Sequence, residues 1–224
     1  MLNSYRAVLF DLDGTLVDHS NAARAGVIAW SQELGIPPDP ARWQALEQQW
    51  FLAYEHGKLT HSGQRAARVR EYLHEPKLSE TAALQLFDGF LHQYIASMQP
   101  FSGAAEVLEQ CFDCGQLVGI ATNGAASLQT TKLRTTGLWD DRLIMLAAVE
   151  MEAAKPNPEF YTRALDIVGT APADTIMVGD TLPNDVLAPI AAGIAAIHVD
   201  HAGTGTTNPR YPTIRDLSEL LNAP

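Results

Sequence analysis

Two aspartates, Asp11 and Asp13, lie one residue apart near the amino terminus. They directly follow the apolar run "AVLF" at residues 7–10, which has the length and composition of a strand buried on both faces. Because charged side chains are rarely buried without a partner, both aspartates must lie where this strand leaves the core. Side chains alternate along a strand, so both carboxylates point to one side, with Cα atoms about 6–7 Å apart. Carboxylates at this spacing repel each other, which predicts either a bound cation or a proton shared in catalysis.

Four further apolar runs of strand length lie at residues 117–122, 143–149, 175–180 and 194–199. Helical patterns separate them; in one, Asn157 can cap a helix that Pro158 begins and Gly169 ends. This alternation predicts right-handed βαβ units and a mostly parallel sheet, so the strand ends share one edge. The polar residues that end or follow three of these runs are Thr122, Asn123, Lys155, Asp180 and Asp185. With the two aspartates they would form an oxygen-rich site around one lysine, which suits a hard cation such as Mg²⁺.

The interval after the first strand has a different pattern. It contains four amphipathic helical stretches, which begin near Ser20, Asp39, residue 62 and Ser79, and no convincing strand. We therefore predict an α/β protein with a Rossmann-like parallel-sheet core, residues 1–17 and 94–224, and an inserted all-helical cap, residues 18–93. An insertion at this position would cover the sheet edge where open α/β sheets bind ligands.

Composition restricts the classes of partner and location. The chain has 224 residues, 46% of them hydrophobic, and a formal net charge of −11, which disfavours nucleic acid or a membrane surface as the main partner. We find no pattern of a signal peptide or transmembrane segment and predict a cytoplasmic protein. The two cysteines, Cys111 and Cys114, are expected to end a helix before Gly115 rather than to act in redox chemistry.

Four motifs together resemble the haloacid dehalogenase (HAD) superfamily, specifically phosphatases with a helical C1-type cap. They are "DLDGT" at 11–15, "TN" at 122–123, "KP" at 155–156 and "GDTLPND" at 179–185, in this order and each after a predicted strand. The run "TNG…Q…KL…GL" at 122–138 is similar to members that dephosphorylate nucleoside or acylated sugar phosphates, a nucleotidase and N-acylneuraminate phosphatase-like subgroup.

This resemblance implies a Mg²⁺-dependent phosphomonoester hydrolase acting on a small soluble metabolite. Asp11 would be the nucleophile that forms an aspartyl-phosphate, and Asp13 the general acid and base. The implied metal ligands are Asp11, Asp13 through its backbone carbonyl, Asp180 and Asp185. The implied phosphate-binding residues are Thr122, Asn123 and Lys155. Gly14 would allow a positive φ or a close approach of the backbone to phosphate.

Other functions remain open at this level. A hexose-phosphate mutase would use the same aspartates and return the phosphoryl group to its substrate. A phosphoacceptor module similar to a response-regulator receiver would share the carboxylates, threonine and lysine, although such domains are about half this length. A dehalogenase is disfavoured, because it needs no acid at position 13 and no metal site. The chain could be a monomer or a homodimer.

A few residues carry further expectations. His19 at the hinge is a candidate substrate contact, and the basic run around Lys58 and Arg65 is either a solvated helix face or a reader of the leaving group. His198 and His201 are expected in a solvated loop. Pro189, four residues after Asp185, predicts a kink or a short 3₁₀ segment near Asp185.

Overall fold

A six-stranded parallel sheet forms the centre of the predicted Rossmann-like core. The protein was analysed as a computed structural model that describes residues 1–203, 205 and 208–221. The strands are β1 (Ala7–Phe10), β2 (Leu117–Thr122), β3 (Ile144–Ala147), β4 (Thr175–Gly179), β5 (Ala195–Val199) and β6 (Thr213–Ile214), in the order β3-β2-β1-β4-β5-β6. Every pairing between neighbours is parallel. The predicted fold class, a Rossmann-like core with a helical insertion, is confirmed.

Nine α-helices accompany these strands in the described ranges. They are α1 (His19–Glu33), α2 (Pro40–Glu55), α3 (His61–Tyr72), α4 (Glu80–Ala96), α5 (Ala104–Asp113), α6 (Ala126–Thr135), α7 (Ala148–Met151), α8 (Pro158–Val168) and α9 (Ala188–Ala191). Local capping chemistry sets several of the boundaries. The Asn157 side chain accepts from the Glu159 N–H at the start of α8, and Gly169 ends that helix with φ 73°. The expected caps of α8 are thus confirmed.

Register brings the ends of the central strands to one level. Phe10 at the end of β1 pairs with Ile120 of β2 on one side and with Val178 of β4 on the other. The next residue, Asp11, continues this pairing, because its N–H donates to the Val178 carbonyl at 2.9 Å. The residues that follow β1, β2 and β4 therefore emerge together at the carboxyl edge of the sheet.

The chain divides into two compact units. The core unit comprises Met1–Asp18 and the described residues from Gln99 onward, and the helical unit comprises His19–Met98. The expected boundary at residues 93 and 94 falls inside α4, which continues to Ala96. Where the chain leaves and re-enters the core unit, its two passages are joined, because the Asp18 N–H donates to the Gln99 carbonyl at 2.9 Å.

Aromatic rings fill the interior of the helical unit. Trp43 lies with its ring centroid 4.6 Å from that of Phe90 and 5.1 Å from that of Tyr72, and Trp30 stacks on Tyr72 at 5.7 Å. These rings come from α1, α2, α3 and α4, so each of the four helices contributes to one core. Such pairs stabilise by about 0.5–1.5 kcal/mol beyond the burial of their area.

The segment after β4 differs from the expectation based on Pro189. Leu182–Leu187 forms a π-helical turn and not a 3₁₀ segment, and α9 follows it. Pro189 has no N–H with which to continue the wider i to i−5 bonding back to Asn184. The Tyr161 hydroxyl donates to the Asn184 carbonyl instead. The predicted interruption of a regular α-helix near Asp185 is therefore present, and of the two predicted forms the 3₁₀ segment is wrong.

Candidate active site

Three carboxylates from two segments form an acidic cluster in the core unit. Asp11 follows β1, and Asp180 and Asp185 follow β4; one carboxylate oxygen of each lies within 4.8 Å of the others. Asp11 and Asp185 are buried, and Asp180 is half-buried. The side chain of Asp13 is outside this cluster and has other partners. The sheet edge thus assembles the acidic residues predicted from positions 174 residues apart in sequence.

Lys155 occupies the centre of this acidic cluster. Its Nζ donates to Asp11 Oδ1 at 2.8 Å, to Asp185 Oδ1 at 2.6 Å and to the Ala121 carbonyl at 2.8 Å. Burial disfavours its charged form, but the contacts with both carboxylates outweigh this effect, so the pKa of Lys155 lies above its ordinary value. The ammonium is therefore a fixed positive charge with all three N–H donors engaged.

One ammonium does not neutralise three neighbouring carboxylates. Burial raises the pKa of Asp11 well above its usual range; Lys155 opposes this effect, and Asp185 and Asp180 add to it. Burial and repulsion from Asp185 raise the pKa of Asp180 to about 6. The cluster consequently holds surplus negative charge that a further cation would stabilise.

The turn after β1 brings backbone close to this cluster. Gly14 has φ 94°, and a Cβ built on it would lie 2.4 Å from Asp180 Oδ2. The expected positive φ of Gly14 is confirmed, and the close neighbour is Asp180. Thr15, one residue further, lies with Oγ1 3.3 Å from Asp11 Oδ2 and 3.4 Å from Asp180 Oδ1.

Asn123 holds the backbone of Lys155. Its Nδ2 donates to the Lys155 carbonyl at 2.8 Å, and its Oδ1 accepts from the Lys155 N–H at 2.7 Å. Both ends of the amide are thus engaged with one residue of the loop that follows α7. This contact positions the lysine across 32 residues of sequence.

Two residues of α6, Gln129 and Lys132, join the site without having been predicted. Lys132 Nζ lies 2.6 Å from Asp13 Oδ1 and 2.5 Å from Asp13 Oδ2, and Gln129 Nε2 donates to Asp13 Oδ2 at 3.0 Å. Gln129 Nε2 also lies 2.5 Å from Thr122 Oγ1. The sequence signal for them is that Gln129 and Lys132 are three residues apart on the helix that follows β2. Residues at this spacing share one face of a helix.

The expectation of a solvated loop is wrong for His198, whereas His201 lies in a turn and is half-buried. His198 lies in β5, and its Nε2 is 3.0 Å from the Asp180 carbonyl oxygen. The His201 ring stacks on Phe101 with 3.7 Å between centroids, and its Nε2 lies 3.1 Å from the Thr15 carbonyl oxygen. Both rings therefore support backbone next to the acidic cluster.

Polar side chains of the helical unit form a chain of contacts. His19 Nδ1 lies 2.7 Å from the Tyr94 hydroxyl, and its Nε2 lies 3.1 Å from Glu47, which pairs with Arg68 at 2.8 Å. Arg68 is buried against the Trp43 ring, so it does not belong to a solvated helix face. Substrate contacts by His19, Lys58 and Arg65 stay predictions.

The two cysteines are separate free thiols. Cys111 is buried in α5 and Cys114 is the exposed residue that ends this helix, before Gly115. Burial raises the pKa of Cys111 to about 12. The predicted helix end at these cysteines is confirmed. Among the helices of the described ranges, none is both long and apolar enough to cross a membrane.

Comparison with known proteins identifies the family. The model of haloacid dehalogenase-like hydrolases matches residues 5–193, and the chain therefore belongs to this family. It is 28% identical to ribulose-1,5-bisphosphate 5-phosphatase of Halopiger xanaduensis, over 87% of this chain and 84% of that protein. It is 30% identical to phosphoglycolate phosphatase of Xanthomonas campestris, over 86% of this chain and 81% of that protein. The predicted family is confirmed, and these relatives support the predicted phosphatase class.

Solved structures share the fold over almost the whole chain. The HAD-hydrolase YfnB of Bacillus subtilis, determined with magnesium bound, has a TM-score of 0.83 at 22% identity, with 96% of each chain covered. The 2-haloacid dehalogenase of Pseudomonas syringae has a TM-score of 0.71 at 26% identity, with 97% of this chain and 96% of that chain covered. A HAD phosphatase of Thermococcus onnurineus also matches, with a TM-score of 0.65 at 26% identity, so phosphatases and dehalogenases share this architecture and the site must distinguish between them.

Proposed function

We propose that this protein is a Mg²⁺-dependent phosphomonoester hydrolase that acts on a small phosphorylated metabolite through an aspartyl-phosphate on Asp11. The observation that carries the proposal is the acidic cluster of Asp11, Asp180 and Asp185 around the Lys155 ammonium. The names of the relatives as phosphatases support the same class.

The residues present fit a magnesium ion. Carboxylate oxygens are the ligands that Mg²⁺ prefers, and one carboxylate oxygen from each of three aspartates lies within 4.8 Å of the others. Asp11, Asp180 and Asp185 would hold the ion with the Asp13 carbonyl. When bound, the ion would neutralise charge between the nucleophile and the substrate phosphate.

The side chains of the core unit can then carry out two displacements. A carboxylate oxygen of Asp11 attacks phosphorus, the bond to the ester oxygen breaks, and Asp13 gives its proton to the departing alkoxide. Water next attacks the phosphorus of the aspartyl-phosphate and loses its proton to Asp13. Cleavage of the bond to Asp11 then releases inorganic phosphate and restores both aspartates.

Thr122, Asn123 and Lys155 are proposed to bind the substrate phosphate together with nearby backbone N–H groups, and Lys155, whose three N–H donors are engaged, would act through its positive charge. The Thr122 hydroxyl accepts from the Gly124 N–H at 3.1 Å and from Gln129 Nε2 at 2.5 Å. Because both lone pairs are then used, its own O–H remains to donate to a phosphate oxygen. The side chain of Asn123 would act indirectly, by fixing Lys155.

Asp13 distinguishes this proposal from a dehalogenase. Displacement of a halide needs no proton donor, whereas an alkoxide leaving group does. Asp13 is held at 2.5 Å from Lys132 and is about one quarter exposed, so it remains accessible to a leaving group. A mutase of the same family would share this acid and differ in returning the phosphoryl group to substrate. A receiver-like phosphoacceptor would keep the phosphoryl group and would not release phosphate catalytically.

The helical unit is proposed to act as a cap that admits only small leaving groups. The partner would be a small phosphomonoester and neither nucleic acid nor a membrane, in agreement with the net charge of −11. The protein is also proposed to be cytoplasmic and to be either a monomer or a homodimer. Light scattering after size exclusion measures the last of these.

A phosphate-release screen tests the proposal. The substrates are phosphoglycolate, sugar phosphates and nucleoside monophosphates, each with Mg²⁺ and with a chelator, and Asp11→Asn is the control variant. Release by the wild type with Mg²⁺, and loss in both the chelated sample and the variant, is expected. Activity that survives chelation would show that the reaction does not need the metal. Activity that survives in Asp11→Asn would show that Asp11 is not the nucleophile. Isomerised sugar phosphate without free phosphate would favour the mutase.

A further inference from the structure

The carboxylate of Asp13 is held by two buried side chains that lie outside the four site motifs. The Lys132 ammonium contacts both carboxylate oxygens, at 2.6 and 2.5 Å, and the Gln129 amide donates to Oδ2 at 3.0 Å. Both residues are at most 3% exposed, whereas the side chain of Asp13 is 27% exposed. Buried side chains thus bind the carboxylate from the protein interior, and part of it stays accessible to solvent.

Gln129 also connects Asp13 to the proposed phosphate-binding hydroxyl. Its second amide N–H reaches Thr122 Oγ1 at 2.5 Å, so one side chain fixes both groups. The Gln129 Oε1 atom is buried and has no hydrogen-bond partner within the part of the chain that the structure describes. A buried unpaired oxygen costs stability, and the two hydrogen bonds that this amide donates offset the cost.

The start of α6 is built to admit this arrangement. A Cβ on Gly124 would lie 2.5 Å from Gln129 Nε2, so a larger residue there would displace the amide. The Glu150 carboxylate accepts from the Ala126 N–H at 3.0 and 3.1 Å and so anchors the first turn of α6. Helical spacing then puts Gln129 and Lys132 on the same face of the helix.

We propose that Gln129 and Lys132 are positioning residues that hold Asp13 in the orientation from which it protonates the leaving group. This inference rests on the proposed function. It deepens that function by assigning a role to α6. Misplacement of a catalytic group by about 1 Å can cost about 100-fold in rate, so loss of either contact should reduce the protonation step substantially.

The test uses aryl phosphates whose leaving groups differ in their need for a proton. The variants are Lys132→Met and Gln129→Leu, and the readout is kcat/KM for phenyl phosphate and p-nitrophenyl phosphate, because this quantity reports the step that expels the leaving group. We expect a fall of about 10- to 100-fold for phenyl phosphate and a smaller fall for p-nitrophenyl phosphate, the better leaving group. Lys132→Arg should retain more activity than Lys132→Met.

Two further comparisons separate positioning from general damage. In an Asp13→Asn background, either α6 variant should add little to the loss, because the group it orients is already gone. Arg134→Met removes a positive charge from the exposed side of the same helix and should leave both esters unaffected. Circular dichroism verifies folding, and Gln129→Leu carries the test if Lys132→Met does not fold.

Three results would overturn the inference: equal losses for the two esters, losses that add fully to Asp13→Asn, or no loss in either α6 variant. A failure of the proposed function looks different. In that case the wild type with Mg²⁺ releases no phosphate from either ester, or Asp11→Asn remains active.

Discussion

Replacing Asp180 with asparagine removes one carboxylate from the acidic cluster and keeps the shape of the side chain. In the metal-free protein, burial and repulsion from Asp185 raise the pKa of Asp180 to about 6 from an ordinary value of 3.8. The native state therefore binds a proton more readily than the unfolded state does. Stability falls as pH rises from about 4 through 6 and stays reduced above that window.

The magnitude follows from this difference in pKa. It corresponds to about 3 kcal/mol against the ionised form, and partial exposure of the side chain reduces this to about 1–3 kcal/mol. At pH 7.5 without metal, Asp180→Asn should therefore be more stable than wild type. For a chain of this length the melting temperature should rise by about 2–10 °C.

Magnesium should reverse the order of the two proteins. A ligand that binds only the native state stabilises it by about 2.7 kcal/mol at 100 times its Kd, and Asp180→Asn should lose most of this gain. The assay is thermal melting at pH 7.5 with EDTA and with a Mg²⁺ titration. Asp166→Asn, on the exposed side of α8, is the matched control and should change stability by less than about 0.5 kcal/mol.

Two outcomes would refute this reasoning. If Asp180→Asn melts below wild type in EDTA, the carboxylate is not under net repulsion in the native state. If Mg²⁺ raises the melting temperatures of both proteins equally, Asp180 is not a ligand. Neither result depends on knowing the substrate.

Three other predictions concern single positions. Iodoacetamide should label Cys114 in the native protein and leave Cys111 unmodified until denaturation, because burial raises the pKa of the Cys111 thiol to about 12; intact mass spectrometry counts the labels. Phe160→Ala, at a fully buried position of the core, should lower the free energy of unfolding by about 3–5 kcal/mol in urea titrations. Gly179→Ala would put a Cβ 2.4 Å from the Cβ of Asp185, so phosphate release should fall by about 100-fold in a steady-state assay.

Much of the fold follows from local sequence patterns. Short apolar runs that alternate with capped helices leave a parallel sheet as the natural arrangement, and parallel strands must end at one edge. This reasoning brings Asp11 and Asp180 together without any contact information. It is less exact where an apolar run continues into a helix: the run at 143–149 predicts one long strand, but β3 ends at Ala147 and α7 begins at Ala148.

The residues that were missed depend on partners far away in sequence. Lys132 meets Asp13 across 119 residues, and the helical spacing that puts Lys132 and Gln129 on one face of α6 does not name Asp13 as their partner. His198 and His201 are expected only as residues of a solvated loop, whereas their rings lie against backbone carbonyls. The π-helical turn likewise has a distant partner, because the Tyr161 hydroxyl donates to the Asn184 carbonyl.

The closely spaced passages between the core unit and the helical unit have a consequence for how this protein can change. The Phe101 N–H donates to the Leu16 carbonyl at 2.9 Å, next to the hydrogen bond from Asp18 to Gln99. These two bonds join the segment that leaves the core unit to the segment that returns to it. Inserted segments can then differ in length or sequence without altering the strand register, since closing the loop costs only about 0.6 kcal/mol for each doubling of its length. The 80-residue insertion His19–Met98 can therefore be exchanged or lengthened while the pairing of the strands is kept.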